Sequence, residues 1–134
     1  MDLKEKELLL KDLSARLSYG VKIHIESCGE IWDDILDSIS IGKVGSTPMT
    51  YINRTVILEN CVCKPYLRPM SSMTEEEIKE LSKIDMKRLI FSSRHLTWNL
   101  DGEIIDYLNK KMFDWRGLIH LGLAIDCTNM GIYD

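Results

Sequence analysis

With 134 residues, 45% hydrophobic and 28% charged, the chain has the composition of one ordinary globular domain, which argues against a disordered tail, a fibrous repeat and a membrane protein. No apolar run approaches the roughly 20 residues that a bilayer span needs, and Leu8-Leu9-Leu10 is too short for a secretion signal, so a cytoplasmic protein with no membrane association is expected. The formal net charge of −4 disfavours general affinity for nucleic acid, which rests on neutralising phosphates.

Residues 3–17 predict an amphipathic helix. Leu3, Leu8, Leu9, Leu10, Leu13 and Leu17 fall mostly on one face, with Glu5, Lys6, Lys11 and Asp12 opposite, and Gly20 stops it. Val21-Lys-Ile-His-Ile-Glu26 alternates strictly, the pattern of a half-buried strand with Val21, Ile23 and Ile25 inward. Cys28-Gly29 supplies a hairpin turn. Residues 30–41 fit two periods: Ile31, Trp32, Ile35, Leu36 and Ile39 match a helical face, whereas Ile39-Ser40-Ile41 alternates. The turn pair and the short connection favour a long bent strand. Gly42, Gly45, Ser46 and Pro48 mark a loop. Residues 49–58, with Tyr51, Ile52, Thr55, Val56 and Ile57, are rich in strand formers, and Asn53-Arg54 suits a turn inside them.

The chain changes character at 64–73. Pro65 and Pro69 lack a backbone donor and push the residues before them out of the helical region. Thr74 followed by Glu77 has capping-box spacing, so a helix starts there, carrying Ile78 and Leu81 and ending near Lys83. In 86–98, Leu89, Ile90 and Phe91 are apolar enough for burial, and Leu96 and Trp98 suit a strand or an extended cover. A helix from Asp101 carries Ile104, Ile105, Leu108 and Met112. Asp114 then caps a shorter helix bearing Leu118, Ile119 and Leu121, closed by Gly122. The expected fold is α+β in a single domain, 1–134. Residues 1–63 hold an N-terminal helix and a small curled antiparallel sheet or open barrel of Src-homology-3-like size, 64–73 form a hinge, and 74–134 supply two to three C-terminal helices packed on the sheet.

Four cysteines, Cys28, Cys61, Cys63 and Cys127, are expected as free thiols, because a domain of this size needs no staples. Cys61-Val-Cys63 would put both sulfurs on one strand face, but the spacing is wrong for structural zinc. The histidines His24, His95 and His120 carry no signature of a base beside a nucleophile. Asp33, Asp34 and Asp37 form an acidic cluster that reads as solvated surface. Phosphate loops, nucleophile elbows, zinc-protease helices and dinucleotide fingerprints are absent, so no cofactor, metal or catalytic residue is expected.

One stretch mixes basic and aromatic groups. Residues 79–98 carry five basic and two acidic side chains, and Lys87, Arg88, Phe91, Arg94, His95 and Trp98 have the composition that single-stranded nucleic acid or an acidic peptide favours. The simpler reading makes Phe91 and Trp98 core and the charges their rim. Arg68, between Pro65 and Pro69, and Arg116, beside Asp114, are expected to pair with carboxylates or carbonyls. Gly117 leaves room for a close neighbour, and 113–122 is expected to be a structural clasp.

Three stretches carry a resemblance: Leu8-Leu-Leu-Lys-Asp-Leu-Ser-Ala-Arg-Leu-Ser-Tyr-Gly-Val-Lys22, Lys64-Pro-Tyr-Leu-Arg-Pro-Met-Ser-Ser-Met-Thr-Glu-Glu-Glu77, and Tyr107-Leu-Asn-Lys-Lys-Met-Phe-Asp-Trp-Arg-Gly-Leu-Ile-His-Leu-Gly-Leu-Ala-Ile125. Together they resemble a family of small uncharacterised proteins of Bacteroidales gut bacteria and their phages and prophages. Its members often carry a His pair where this chain has Lys110, Lys111 and Met112. The resemblance implies a provenance in a bacterial host cell, compatible with a virion component, and no activity. The expected function is a non-enzymatic binding or adaptor module of a phage or mobile element with a protein partner. A nucleic-acid or nucleotide binder using 83–98, and an enzyme with an unfamiliar site, are the alternatives.

Overall fold

A computed structural model describes residues 1–89 and 102–133, the side chains of 85–89 excepted. The fold is mixed α+β, with an N-terminal helix, mostly antiparallel strands and helices in the C-terminal half. Helix α1 (Leu3–Arg16) opens with a capping box, in which Asp2 accepts from the Glu5 amide and the Glu5 side chain accepts from the Asp2 amide. A 3-10 turn at Leu17–Tyr19 follows, and Gly20, at φ 71, ends it. Strands β1 (Lys22–Ser27) and β2 (Glu30–Ile35) form the hairpin expected at Cys28-Gly29. Both turn residues have positive φ, 53 and 81, as a two-residue hairpin of this hand requires.

Residues 30–41 are extended, but they form two strands instead of one bent strand. At the break Leu36 turns into the core, and the Asn53 side chain accepts from the amides of Asp37 and Ser38, at 2.8 and 3.2 Å. The chain then enters a second sheet as β3 (Ile39–Val44) and β4 (Thr47–Ile52), joined through Gly45-Ser46, so Gly42 and Pro48 belong to strands and not to the loop. A turn at 53–55 leads to β5 (Val56–Ile57), and β6 (Val62–Leu67) returns to pair with β1. Helix α2 (Glu75–Leu89) runs past Lys83, because Ile84 continues the stripe begun by Leu81 and Ser82 is too weak a breaker to end it. Helix α3 (Gly102–Lys110) follows, and β7 (Ile125–Asp126) adds to β6 in parallel. The sheets have orders β2-β1-β6-β7 and β3-β4-β5.

Among the described residues no helix forms after Asp114. Residues 111–122 are irregular turns, in which Gly117 sits at φ 80, a left-handed conformation that interrupts helical geometry. Space is not what requires glycine there, since a Cβ at Gly117 would meet nothing within 4 Å. The main core lies between α1 and the four-stranded sheet, where Leu9 and Leu13 join Val21, Ile23, Ile25, Leu36, Leu67 and Leu118. A smaller cluster of Leu81, Ile104, Leu108 and Phe113 ties α2 to α3.

Asp12, placed by periodicity on the polar face of α1, is instead fully buried with Arg16, both at 0% exposure. All five guanidinium donors of Arg16 are used. Nε and Nη2 bind the two Asp12 oxygens at 3.0 Å, Nη2 also reaches the Phe113 carbonyl at 2.6 Å, and Nη1 meets the Leu108 and Asn109 carbonyls at 3.5 and 3.4 Å. Arg116 adds a further bond to Asp12 at 2.8 Å. Removing one partner of such a pair strands a buried charge. Arg16→Met should therefore lose about 3–5 kcal/mol in urea denaturation, with Asp12→Leu/Arg16→Met recovering part of that loss.

Candidate functional site

The residues expected to be structural meet around the C-terminal end of α3. Pro65 lies in β6, and Pro69 leads into a 3-10 turn at Met70–Ser72. Arg68 bridges both Glu77 oxygens at 2.8 and 2.7 Å and donates to the Ser72 carbonyl at 3.2 Å. Its own backbone receives Asp114 N–H and donates to the Met112 carbonyl, both at 2.8 Å. Its guanidinium also covers the Phe113 ring at 4.2 Å. Thr74 and Glu77 form the expected capping box. Asp114 accepts from the amides of Leu118 and Ile119, at 2.8 and 2.9 Å, and not from Arg116 and Gly117. The left-handed turn at Gly117 is what carries the chain on to those later amides. Trp115 donates to Asn109 Oδ1 while the Arg116 guanidinium stacks on its ring at 4.0 Å.

These contacts account for Asp12, Arg16, Arg68, Glu77, Asp114 and Arg116, which bind one another or neighbouring main-chain groups. The Arg68 guanidinium holds the Glu77 carboxyl down at about 2, against an ordinary 4.5, with the Thr74 donors adding to the effect and burial opposing it. Beside the junction lies a cleft of about 760 Å³ lined by Tyr19, Glu76, Glu80, Lys110, Lys111 and Thr128 among others. Its acids and bases are mixed. The Tyr107 hydroxyl already engages Glu80 at 2.7 Å, and burial, with that carboxylate, raises the Tyr107 phenol.

On the outer face of the four-stranded sheet, Asp33 accepts from Tyr66 at 2.7 Å and lies 3.1 Å from His24 Nδ1. Burial and then Asp33 push the Tyr66 phenol up to about 12, so it serves as a hydrogen-bond donor. Cys28, Cys61, Cys63 and Cys127 form no disulfide. Cys61 precedes β6 instead of sharing a strand face with Cys63, and burial drives the Cys63 thiol up to about 12, the opposite of activation. Among the described residues no group of three or more His, Cys, Asp and Glu side chains is placed to hold a metal. Of the basic and aromatic candidates, the backbones of Lys87 and Arg88 lie in α2, whereas Phe91, Arg94, His95 and Trp98 lie outside the described residues.

The remaining candidates are the sheet edges. β2 and β3 each border a sheet and pair on one side among the described residues. Ladder alternation, counted from the two-residue hairpins, turns the backbone groups of Ile31, Asp33 and Ile35 outward on β2, and those of Ile39, Ile41 and Lys43 outward on β3. The β2 edge is blunted. Ile35 N–H is taken by Asp34 Oδ1 and Ile35 C=O by the Asn53 amide, both at 2.8 Å, and Glu30, Asp33 and Asp34 line the strand with charge. The β3 edge carries one charge, Lys43, and Ile41 on it is 79% exposed. Edge pairing depends on which backbone groups stay free, which alternation along one strand does not reveal, so sequence reading missed this site. Its one sequence signal is Ile39-Ser40-Ile41, a β-branched alternation followed by glycine.

Compared with known protein families, curated proteins and solved structures, the chain matches none.

Acid should act through the junction. The folded carboxyl of Glu77 lies below its unfolded value, so its contribution is present above pH 4.5 and is lost as pH falls towards 2. Chemical denaturation at stepped pH should show wild-type stability falling by about 2–3 kcal/mol over that window. Glu77→Gln should flatten that part of the profile and lower the stability at neutral pH.

Proposed function

We propose that the protein is a non-enzymatic binding module that takes up an extended segment of a polypeptide along β3, and that, as the resemblance implies, it serves a phage or mobile element of Bacteroidales. One observation carries the reading: the β3 edge, which among the described residues only Lys43 guards, with Ile41 standing out from it. Edge strands in monomeric proteins are normally guarded by several charges, prolines, bulges or covering segments. β2 follows that rule and β3 does not. Strand addition supplies affinity through main-chain hydrogen bonds and specificity through alternate side chains. Here the main-chain groups on offer are those of Ile39, Ile41 and Lys43.

The way the hairpin is held also supports it. Glu59 accepts from the Thr50 amide at 2.5 Å and pairs with Lys6 of α1 at 3.2 Å, which fixes the base of β4 to the body. Asn53 fixes the start of β3 through Asp37 and Ser38. A strand fixed at its base and open along its length loses little freedom when a second strand arrives. The nucleic-acid alternative rests on 83–98, much of which lies outside the described residues.

Affinity capture tests the proposal. Immobilised wild-type protein and an Ile35→Asp control should retain the same polypeptide from a host-cell extract. Ile41→Asp should retain it about tenfold less or weaker still, the loss expected when a buried isoleucine contact becomes a desolvated carboxylate. Hydrogen exchange of the complex should slow at the Ile39, Ile41 and Lys43 amides. Equal retention by Ile41→Asp, or protection confined to the helices, would reject β3 as the binding edge.

A further inference from the structure

We infer that the segment β3 takes up is β3 of a second copy of this chain, the two strands running antiparallel about a two-fold axis at Ile41. The inference rests on the reading of β3 as the binding edge and names its partner. It follows from which residues point outward. Two edges can pair only when outward groups meet outward groups, so antiparallel registers of β3 with itself are restricted to every second step. The outward residues are Ile39, Ile41 and Lys43, and the register centred on Ile41 uses all three.

In that register Ile41 faces Ile41 of the other copy, Ile39 faces Lys43, and Ser40 faces Gly42. The side chain that is 79% exposed in the single chain is covered by its own equivalent. Each lysine stem lies along an isoleucine, and the two ammonium groups stand four residues apart, about 14 Å along the strand, beyond the Debye length of about 8 Å at physiological salt. Of the two neighbouring allowed registers, the one centred on Gly42 halves that separation and sets Lys43 against Ile41, and the one centred on Ser40 sets Lys43 against Asp37, which lies outside β3 with its amide bonded to Asn53. Ile41 is therefore the favoured centre.

β2 provides the contrast within the same molecule. Its central outward residue is Asp33, flanked by Glu30 and Asp34, so pairing β2 with its own copy would set carboxylate against carboxylate. Like charges exclude a second copy there, and near neutrality admits one at β3. Pairing two strands alone lies at the small end of specific interfaces, so the association is reversible and concentration-dependent.

Sedimentation velocity from about 1 μM to about 1 mM reads the association directly. Wild-type protein should shift from monomer to dimer across that range, and the Ile35→Asp control should behave as wild type. Ile41→Asp and Ile41→Lys should each have a dissociation constant weakened about tenfold or more, and so be mainly monomeric at the wild-type midpoint, with unchanged circular dichroism and melting temperature. Mixed in equal amounts, the Ile41→Asp and Ile41→Lys proteins should form a heterodimer, because opposite charges then meet on the axis. Only a contact between position 41 and its equivalent gives that rescue. A dimer that persists in both variants, or singles that fail without rescue on mixing, overturns the inference. A wild-type monomer throughout, with capture of another polypeptide still lost in Ile41→Asp, overturns the second copy as partner and leaves the binding edge standing. A wild-type monomer with no capture removes both.

Discussion

A guanidinium with no exposed surface must find acceptors for five donors within the protein, and the way Arg16 does so sets the rest of the arrangement. Two donors go to Asp12, one turn earlier on α1. The other three go to the carbonyls of Leu108, Asn109 and Phe113. Leu108 and Asn109 close the last turn of α3, where their carbonyls also accept the Phe113 and Met112 amides and the helix dipole is negative. The first helix thus caps the third from inside the protein. With Arg116 reaching the same Asp12 and Arg68 holding both Asp114 and Glu77, the three stretches 8–22, 64–77 and 107–125 meet at one junction. Asp12, Arg16, Arg68, Glu77, Asp114 and Arg116 are each occupied there by the protein itself, which makes these three stretches the ones that hold the fold together.

Periodicity made some of this legible. The alternation of Val21–Glu26, the Cys28-Gly29 turn, the Thr74–Glu77 cap and the stripe of α3 each rest on local rules that the structure obeys. Asp12 escaped because a face assigned by polarity has no way to register a partner one turn along the same helix and a second one 104 residues away. The supposed helix after Asp114 failed for a related reason. Asp114 does accept main-chain bonds and Leu118 is buried, but the bonds come from Leu118 and Ile119, Leu121 stays exposed, and Gly117 turns the backbone left-handed in between. A one-dimensional pattern shows which groups want burial. It does not show which distant carbonyls will supply the acceptors.

The split of residues 30–41 into two strands shows tertiary contacts overriding a local preference. Nothing in 36–38 is a strong breaker, and the break is imposed by Asn53, whose amide donates to Ile35 while its oxygen accepts from Asp37 and Ser38. Asn53 tolerates its φ of 53 as few other residues would. One side chain thereby ends β2, starts β3 and closes the outward carbonyl at the end of the β2 edge. The same contact that blunts one edge sends the chain onward to form the other.

The stabilising junction and the open β3 edge consequently lie in different parts of the molecule. The junction draws on α1, β6, α3 and the turns after it, whereas β3 meets the body through Asn53 and β4. Within the hairpin Gly42 has a specific part: a Cβ there would come within 2.7 Å of the Tyr51 ring. The ring instead lies over the bare backbone, covering a position that would otherwise expose main chain on that face while leaving the edge itself free. Tyr51 stiffens the strand from its face and Glu59 holds its neighbour from below. Neither occupies the outward groups of Ile39, Ile41 and Lys43. Among the described residues β3 is supported by β4 and from its face but not along its outward edge, so most of the ordering that strand addition would require is already done in folding.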